Sequence, residues 1–140
     1  MNPTAILWPV GALAILTFAV LLVVPYRRFR AAFARQVRAE DFRYGESARV
    51  PGEVSIPNRN YMNLLESPNL FYVACIVFYV TDLVDSQAVA MAWVYVALRV
   101  AHSVVHLTYN KVMHRMMAFA ASITVLLVMW IHLLLALPAA

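Results

Sequence analysis

Long apolar runs alternate with short polar stretches along the chain. The runs extend from about Ala5 to Val24, Tyr61 to Val80, Val89 to Leu107 and Met117 to Leu137. A helix needs about 20 residues to cross roughly 30 Å of hydrocarbon. Backbone polar groups in lipid must bond within their own segment, which makes helices the natural spanning element. The pattern therefore predicts four membrane spans. The connections between spans two and three and between three and four are short, which predicts up-down-up-down packing. The expected fold is an all-α integral membrane four-helix bundle, one domain over residues 1–140. In the long first connection, Phe29, Phe33 and Val37 recur every four residues among arginines. That spacing predicts a continuation of the first helix or a helix lying on the headgroups. The stretch Arg49–Pro57 reads as irregular loop, with Asn58 as the cap of the second span.

Composition supports the membrane reading. Hydrophobic residues make up 64% of the chain and charged residues 13%, and the mean hydropathy is +0.73. A soluble domain carries about 45–50% apolar and about 25% charged residues, so a water-soluble monomer is excluded, as is disorder. Cys75 is the single cysteine, so no intrachain disulfide forms and no cysteine-based metal motif exists. It reads as a buried apolar side chain.

The net charge of +4 matters less than its placement. Arg27, Arg28, Arg30, Arg35, Arg38, Arg43, Arg49 and Arg59 lie between spans one and two, and Lys111 and Arg115 between three and four. The connection between spans two and three holds Asp82 and Asp85, read as solvated loop charges, and no basic residue. The positive-inside rule puts the arginine-rich connections in the cytosol and both termini on the non-cytosolic side. The first run has its basic residues after it, the pattern of a retained anchor. The expected location is a bacterial inner membrane, with no nucleic-acid partner.

Polar residues inside spans mark function by default. Arg59, Asn63 and Glu66 follow i, i+4, i+7; Arg99, His102, His106 and Tyr109 follow i, i+3, i+7, i+10. Each set shares one helix face. Ser103 and Asn110 flank the second stripe. At 1.5 Å per residue, Glu66 and His102 each lie about 12 Å from the cytosolic ends of their spans, and Arg115 begins span four at the same surface. The pattern predicts one polar pocket in the cytosolic half of the bundle. Structural readings compete residue by residue: Arg59 and Arg115 as snorkelling headgroup anchors, Glu66 and Arg99 as a buried ion pair, Asn63 and Ser103 as interhelical hydrogen bonds. As a pocket, arginine forks match carboxylates, Glu66 matches an amine, and Asn63 both donates and accepts. A zwitterionic, peptide-like anion from the cytosol fits this set, with a hydrophobic co-substrate entering sideways from lipid.

At these residues a family resemblance appears. Arg59-Asn-Tyr-Met-Asn63-Leu-Leu-Glu66 fits the R-x-x-x-N-x-x-E signature of the MAPEG family, membrane-associated proteins in eicosanoid and glutathione metabolism. Arg99-Val-Ala-His102-Ser-Val-Val-His106-Leu resembles the third span of its prostaglandin E synthase branch, near the microsomal glutathione transferases. Arg115 stands at the distance of that branch's catalytic arginine, and Arg27 aligns with a further glutathione-contacting arginine. The resemblance covers nearly the whole chain. It implies a homotrimer with glutathione, as co-substrate, between neighbouring subunits. Glutathione contacts would come from Arg27, Arg59, Asn63, Glu66, His102, His106 and Tyr109, and Arg115 would stabilise the thiolate. The chain departs from that branch at His106, where the branch has tyrosine, with Tyr109 one turn on; at Lys111, where it has arginine; and at an early Pro68. The expected activity is of the glutathione transferase or peroxidase type, on a lipophilic electrophile or lipid peroxide.

Three other classes compete. A lipid-binding or accessory membrane protein of the same fold predicts no glutathione binding. Haem or zinc would use His102 and His106 at i, i+4, but His132 lies about 25 Å along span four, so its depth does not match theirs. A small transporter wants glycine-broken helices, and Gly11, Gly45 and Gly52 interrupt none of spans two to four.

Overall fold

Asn2 starts the first element. Its side-chain oxygen accepts the Thr4 N–H at 3.0 Å and opens a 3-10 turn over Pro3–Ile6, which runs straight into the first long helix. The computed structural model describes residues 2–138. Its helices are α1 (Leu7–Phe33), α2 (Gly52–Glu66), α3 (Pro68–Val80), α4 (Ser86–Leu107) and α5 (Val112–Ala136), with a 3-10 turn at Ala39–Phe42. No strand occurs among the described residues. Four segments are long and apolar enough to cross a membrane: Pro3–Phe33, Gly52–Val80, Ser86–Leu107 and Val112–Ala136. The fold is the expected all-α membrane bundle of four spans.

The second span is two helices separated by a break at Ser67. Pro68 has no N–H to give to the turn before it, and its ring crowds the carbonyl four residues back. The helix therefore breaks at Ser67 and resumes. Before the break α2 packs on α1 and α4; after it α3 packs on α5; the backbones of α2 and α5 make no close approach. Helix α4 contacts all the other helices and carries the centre of the core, where Phe71 of α3 stacks on Tyr95 with ring centroids 4.6 Å apart.

Helix ends follow local chemistry. Helix α1 continues past Pro25 to Phe33, as the spacing of Phe29 and Phe33 suggested. Arg35 then turns left-handed at φ 59°. Its N–H bonds Ala32 O and that of Gln36 bonds Ala31 O, each at 2.9 Å, which closes the helix in a Schellman motif. Val37 therefore leaves the Phe29–Phe33 stripe and is buried with Ala31, Val50 and Val54.

Two expectations need correction here. The stretch up to Pro57 is not loop throughout: α2 begins at Gly52, and Asn58 lies inside it rather than capping it. Pro57 comes just after the first turn, so it removes a single intrahelical bond, and the burial of Val54 against α1 holds the segment helical. Asp85, expected as a solvated charge, caps α4 by accepting the Ala88 N–H at 2.7 Å and contacts His132 Nε2 at 2.9 Å. Burial alone would raise the Asp85 carboxyl, but the Ala88 N–H and the His132 ring hold it below its ordinary value. Cys75 is fully buried, as expected.

Candidate functional site

Helix α4 supplies the floor of the site. Arg99, His102, Ser103 and His106 recur at helical spacing, and each is at most 2% exposed. Helix α2 supplies one wall. Asn60 is fully buried, Asn63 half-buried and Arg59 exposed. The start of α5 supplies the other wall with Arg115, Met116 and Phe119. Because α3 packs on α5 while α2 packs on α1 and α4, a wedge opens between α2 and α5. Two adjoining cavities fill it. One of about 280 Å³ is lined by Asn63, His102, Arg115 and Phe119 among others. The other, about 350 Å³, is lined by Arg59, Asn63, His106 and Arg115 among others. Asn63 and Arg115 belong to both.

Two struts from α4 fix the α2 wall. Arg99 donates from Nη2 to the Asn63 carbonyl at 2.5 Å. That carbonyl lies in the last turn of α2, where helix carbonyls lack partners. One turn along, Ser103 Oγ donates to Asn60 Oδ1 at 3.3 Å. The Arg99 guanidinium also lies over the Phe119 ring, 5.5 Å from its centroid, which ties α5 to the same residue. Arg99 Nε and Nη1, and Nδ1 of His102 and His106, are enclosed with no hydrogen-bond partner among the described residues. The two histidine rings lie 5.6 Å apart. Arg115 Nη1 donates to Asn110 Oδ1 at 2.9 Å; Asn110 adopts φ 47° in the α4–α5 connection. This bond aims the guanidinium across the wedge mouth and leaves its other nitrogens free of protein partners among the described residues.

The structure thus brings together Arg59, Asn63, His102, His106 and Arg115, with Arg99 and Ser103 behind them. Three residues of the expected set stand elsewhere in this chain. Glu66 is exposed on α2 and lines neither cavity, and the Glu66–Arg99 ion pair does not form. Arg27 lines a separate polar groove with Arg30, Gln36 and Glu53. Tyr109 is 59% exposed and bonds His114 Nδ1 at 3.1 Å. The site also includes residues the sequence reading passed over, Asn60 and Phe119. Asn60 carried a usable signal: an asparagine one helical turn before Asn63 on the same helix. His132, read by depth alone, is the partner of Asp85.

Chemically, the wedge offers two guanidiniums, two amides and two imidazoles, with no carboxylate among its lining residues. Such a set binds an anion and stabilises negative charge. Among known proteins, the family model described as MAPEG family matches residues 6–135. No curated protein and no solved structure matches the chain.

Proposed function

The chain belongs to the MAPEG family, and from that premise we propose that it is a glutathione-dependent membrane enzyme of the transferase or peroxidase type. The observation that carries the reading is the convergence of Arg59, Asn63, His102, His106 and Arg115 on one wedge open at its arginine-bearing end. In this reading Arg59, Asn63, His102 and His106 hold the tripeptide through its carboxylates and amides, and Arg115 meets the sulfur. A thiol is a weak nucleophile until it loses its proton, with a pKa of roughly 8.5 for free cysteine. A guanidinium stays protonated and favours the thiolate beside it. The thiolate then attacks an electrophilic carbon or a peroxide oxygen of a lipophile arriving from the bilayer.

The remaining residues support an oligomeric site. Glu66 presents an exposed carboxylate from a membrane helix and makes no ion pair or hydrogen bond among the described residues. Such a group is costly in lipid and finds its partner on a ligand or a neighbouring copy. A homotrimer with glutathione between subunits would bring Glu66, Arg27 and Tyr109 to the wedge of a neighbouring copy. The arginine-rich ends then face the cytosol, consistent with the charge asymmetry of the connections.

The test is a calorimetric titration of glutathione into detergent-purified protein. Saturable binding is expected, weakened by roughly 10- to 100-fold in Arg59→Ala, as for loss of a charged hydrogen bond. Absence of binding at millimolar glutathione overturns the proposal and leaves a lipid-binding or accessory role.

A further inference from the structure

A cavity larger than either of those in the wedge lies outside it and shares no lining residue with it. It measures about 590 Å³ and is bounded by α1 from Leu21 to Ala32 and by the segment Val37–Phe42. Those eleven steps along α1 cover about 16 Å. They cross the level where the apolar run ends and the arginines begin. The inner part is apolar, with Leu21, Val24 and Pro25; the outer rim carries Arg28 and Arg38. Phe29 also lines it and is 65% exposed, so the cavity opens sideways, toward lipid in a bilayer.

The roof is held in place by specific bonds. Asp41 accepts the Arg38 N–H at 2.9 Å and the Ser47 hydroxyl at 2.8 Å, which fixes the Ala39–Phe42 turn. These bonds, the Arg38 backbone first, hold the Asp41 carboxyl below its ordinary value. The Arg28 guanidinium lies 4.6 Å from the centroid of the Phe42 ring and bonds Glu46 at 2.9 Å. Arg28 is thereby neutralised in part. Arg38 is exposed and forms no ion pair among the described residues.

We propose that this cavity is a binding site for one anionic phospholipid of the leaflet at the arginine-rich end. An acyl chain fills the apolar part, and the headgroup phosphate meets Arg38 at the rim, with Arg28 beside it. Three observations select this occupant. The apolar-to-basic gradient runs along the membrane normal. The opening faces the bilayer. The charge left uncompensated at the rim is positive, as an anionic headgroup requires. The site stands independently of the glutathione reading.

The test uses nanodiscs of equimolar phosphatidylglycerol and phosphatidylcholine, followed by detergent extraction and native mass spectrometry. The wild-type chain is expected to retain one phosphatidylglycerol per copy. Arg38→Gln changes an exposed side chain and should lower the preference for phosphatidylglycerol about fivefold, the effect of one arginine near an anionic surface. Ala32→Trp, which fills the cavity from an exposed helical position, should abolish retention of both lipids. Absence of retained lipid in the wild type overturns the proposal. So does an unchanged preference in Arg38→Gln, whether or not Ala32→Trp folds.

Discussion

Replacing Arg115 by alanine tests the chemistry of the wedge most directly. An opposite charge within about 4–6 Å shifts a titrating group by roughly 1–3 pKa units. Arg115 is half-exposed at the wedge mouth, and one nitrogen is already committed to Asn110 at 2.9 Å. Solvent screening at such a position argues for the lower part of that range, about 1–2 units. A bound thiol starting near 8.5 would then titrate at about 6.5–7.5. At pH 7 its thiolate fraction would rise from about 3% to about 24–76%, a stabilisation of about 1.4–2.7 kcal/mol. The assay is a pH titration of the ultraviolet thiolate absorbance of glutathione bound to wild type, Arg115→Ala and Arg115→Lys. Alanine should return the midpoint toward that of free glutathione while binding persists through Arg59 and Asn63. Lysine should fall between, since it keeps the charge and loses the fork. An unchanged midpoint in Arg115→Ala, with glutathione still bound, would refute the assignment of the thiolate to this residue.

Other expectations concern the scaffold of the site. A double-mutant cycle of Ser103→Ala and Asn60→Ala, read by unfolding in mixed micelles, should give a coupling of about 0.6 kcal/mol and no more than about 1.7, the range for interhelical hydrogen bonds in membranes. Pro68→Ala should restore the backbone bond at the break and join α2 and α3 into one continuous helix. Thermal unfolding should show a stability at least equal to wild type, while calorimetry shows weaker glutathione binding; unchanged affinity would detach the break from the wedge. Asp85 carries a depressed carboxyl pKa, so its contribution to stability is present above the ordinary carboxylate range and lost as pH falls through the folded value. Melting temperature should hold down to about pH 4 and then drop, and in His132→Ala the acid-induced drop should be smaller, because the folded carboxyl then lies closer to its unfolded value.

The spans were legible because their apolar runs exceed what a soluble core needs, and the basic residues punctuate them. The start of α2 was not. Pro51, Gly52 and Pro57 read as loop, while the burial of Val54 and Ser55 is a tertiary effect that no local pattern carries. The wedge was legible in its floor, where four inward positions of α4 repeat without interruption. Its α2 wall was read too broadly. At about 100° per residue, Asn63 and Glu66 differ by about 60° around the helix, and Asn60, at about 60° beyond Asn63 on the other side, is the fully buried one. The buried face of α2 is therefore centred near Asn60 and Leu64, with Asn63 at its margin and Glu66 beyond it. Tyr109 continued the α4 stripe on paper, but the helix ends at Leu107, and beyond that point periodicity no longer fixes a direction.

Arg99 also bears on how the chain enters the membrane. An arginine at the centre of a span costs about 2.5–3.5 kcal/mol on insertion scales, and α4 adds His102 and His106 to that burden. What offsets the penalty lies on other helices: the Asn63 carbonyl on α2 and the Phe119 face on α5. Residues 108–111 are a connection too short to let α4 and α5 insert far apart. Insertion of the two helices as a hairpin against an α2 already in place is the expected consequence, in which the side chain that fixes the wall of the wedge ties the third span to its neighbours during biogenesis.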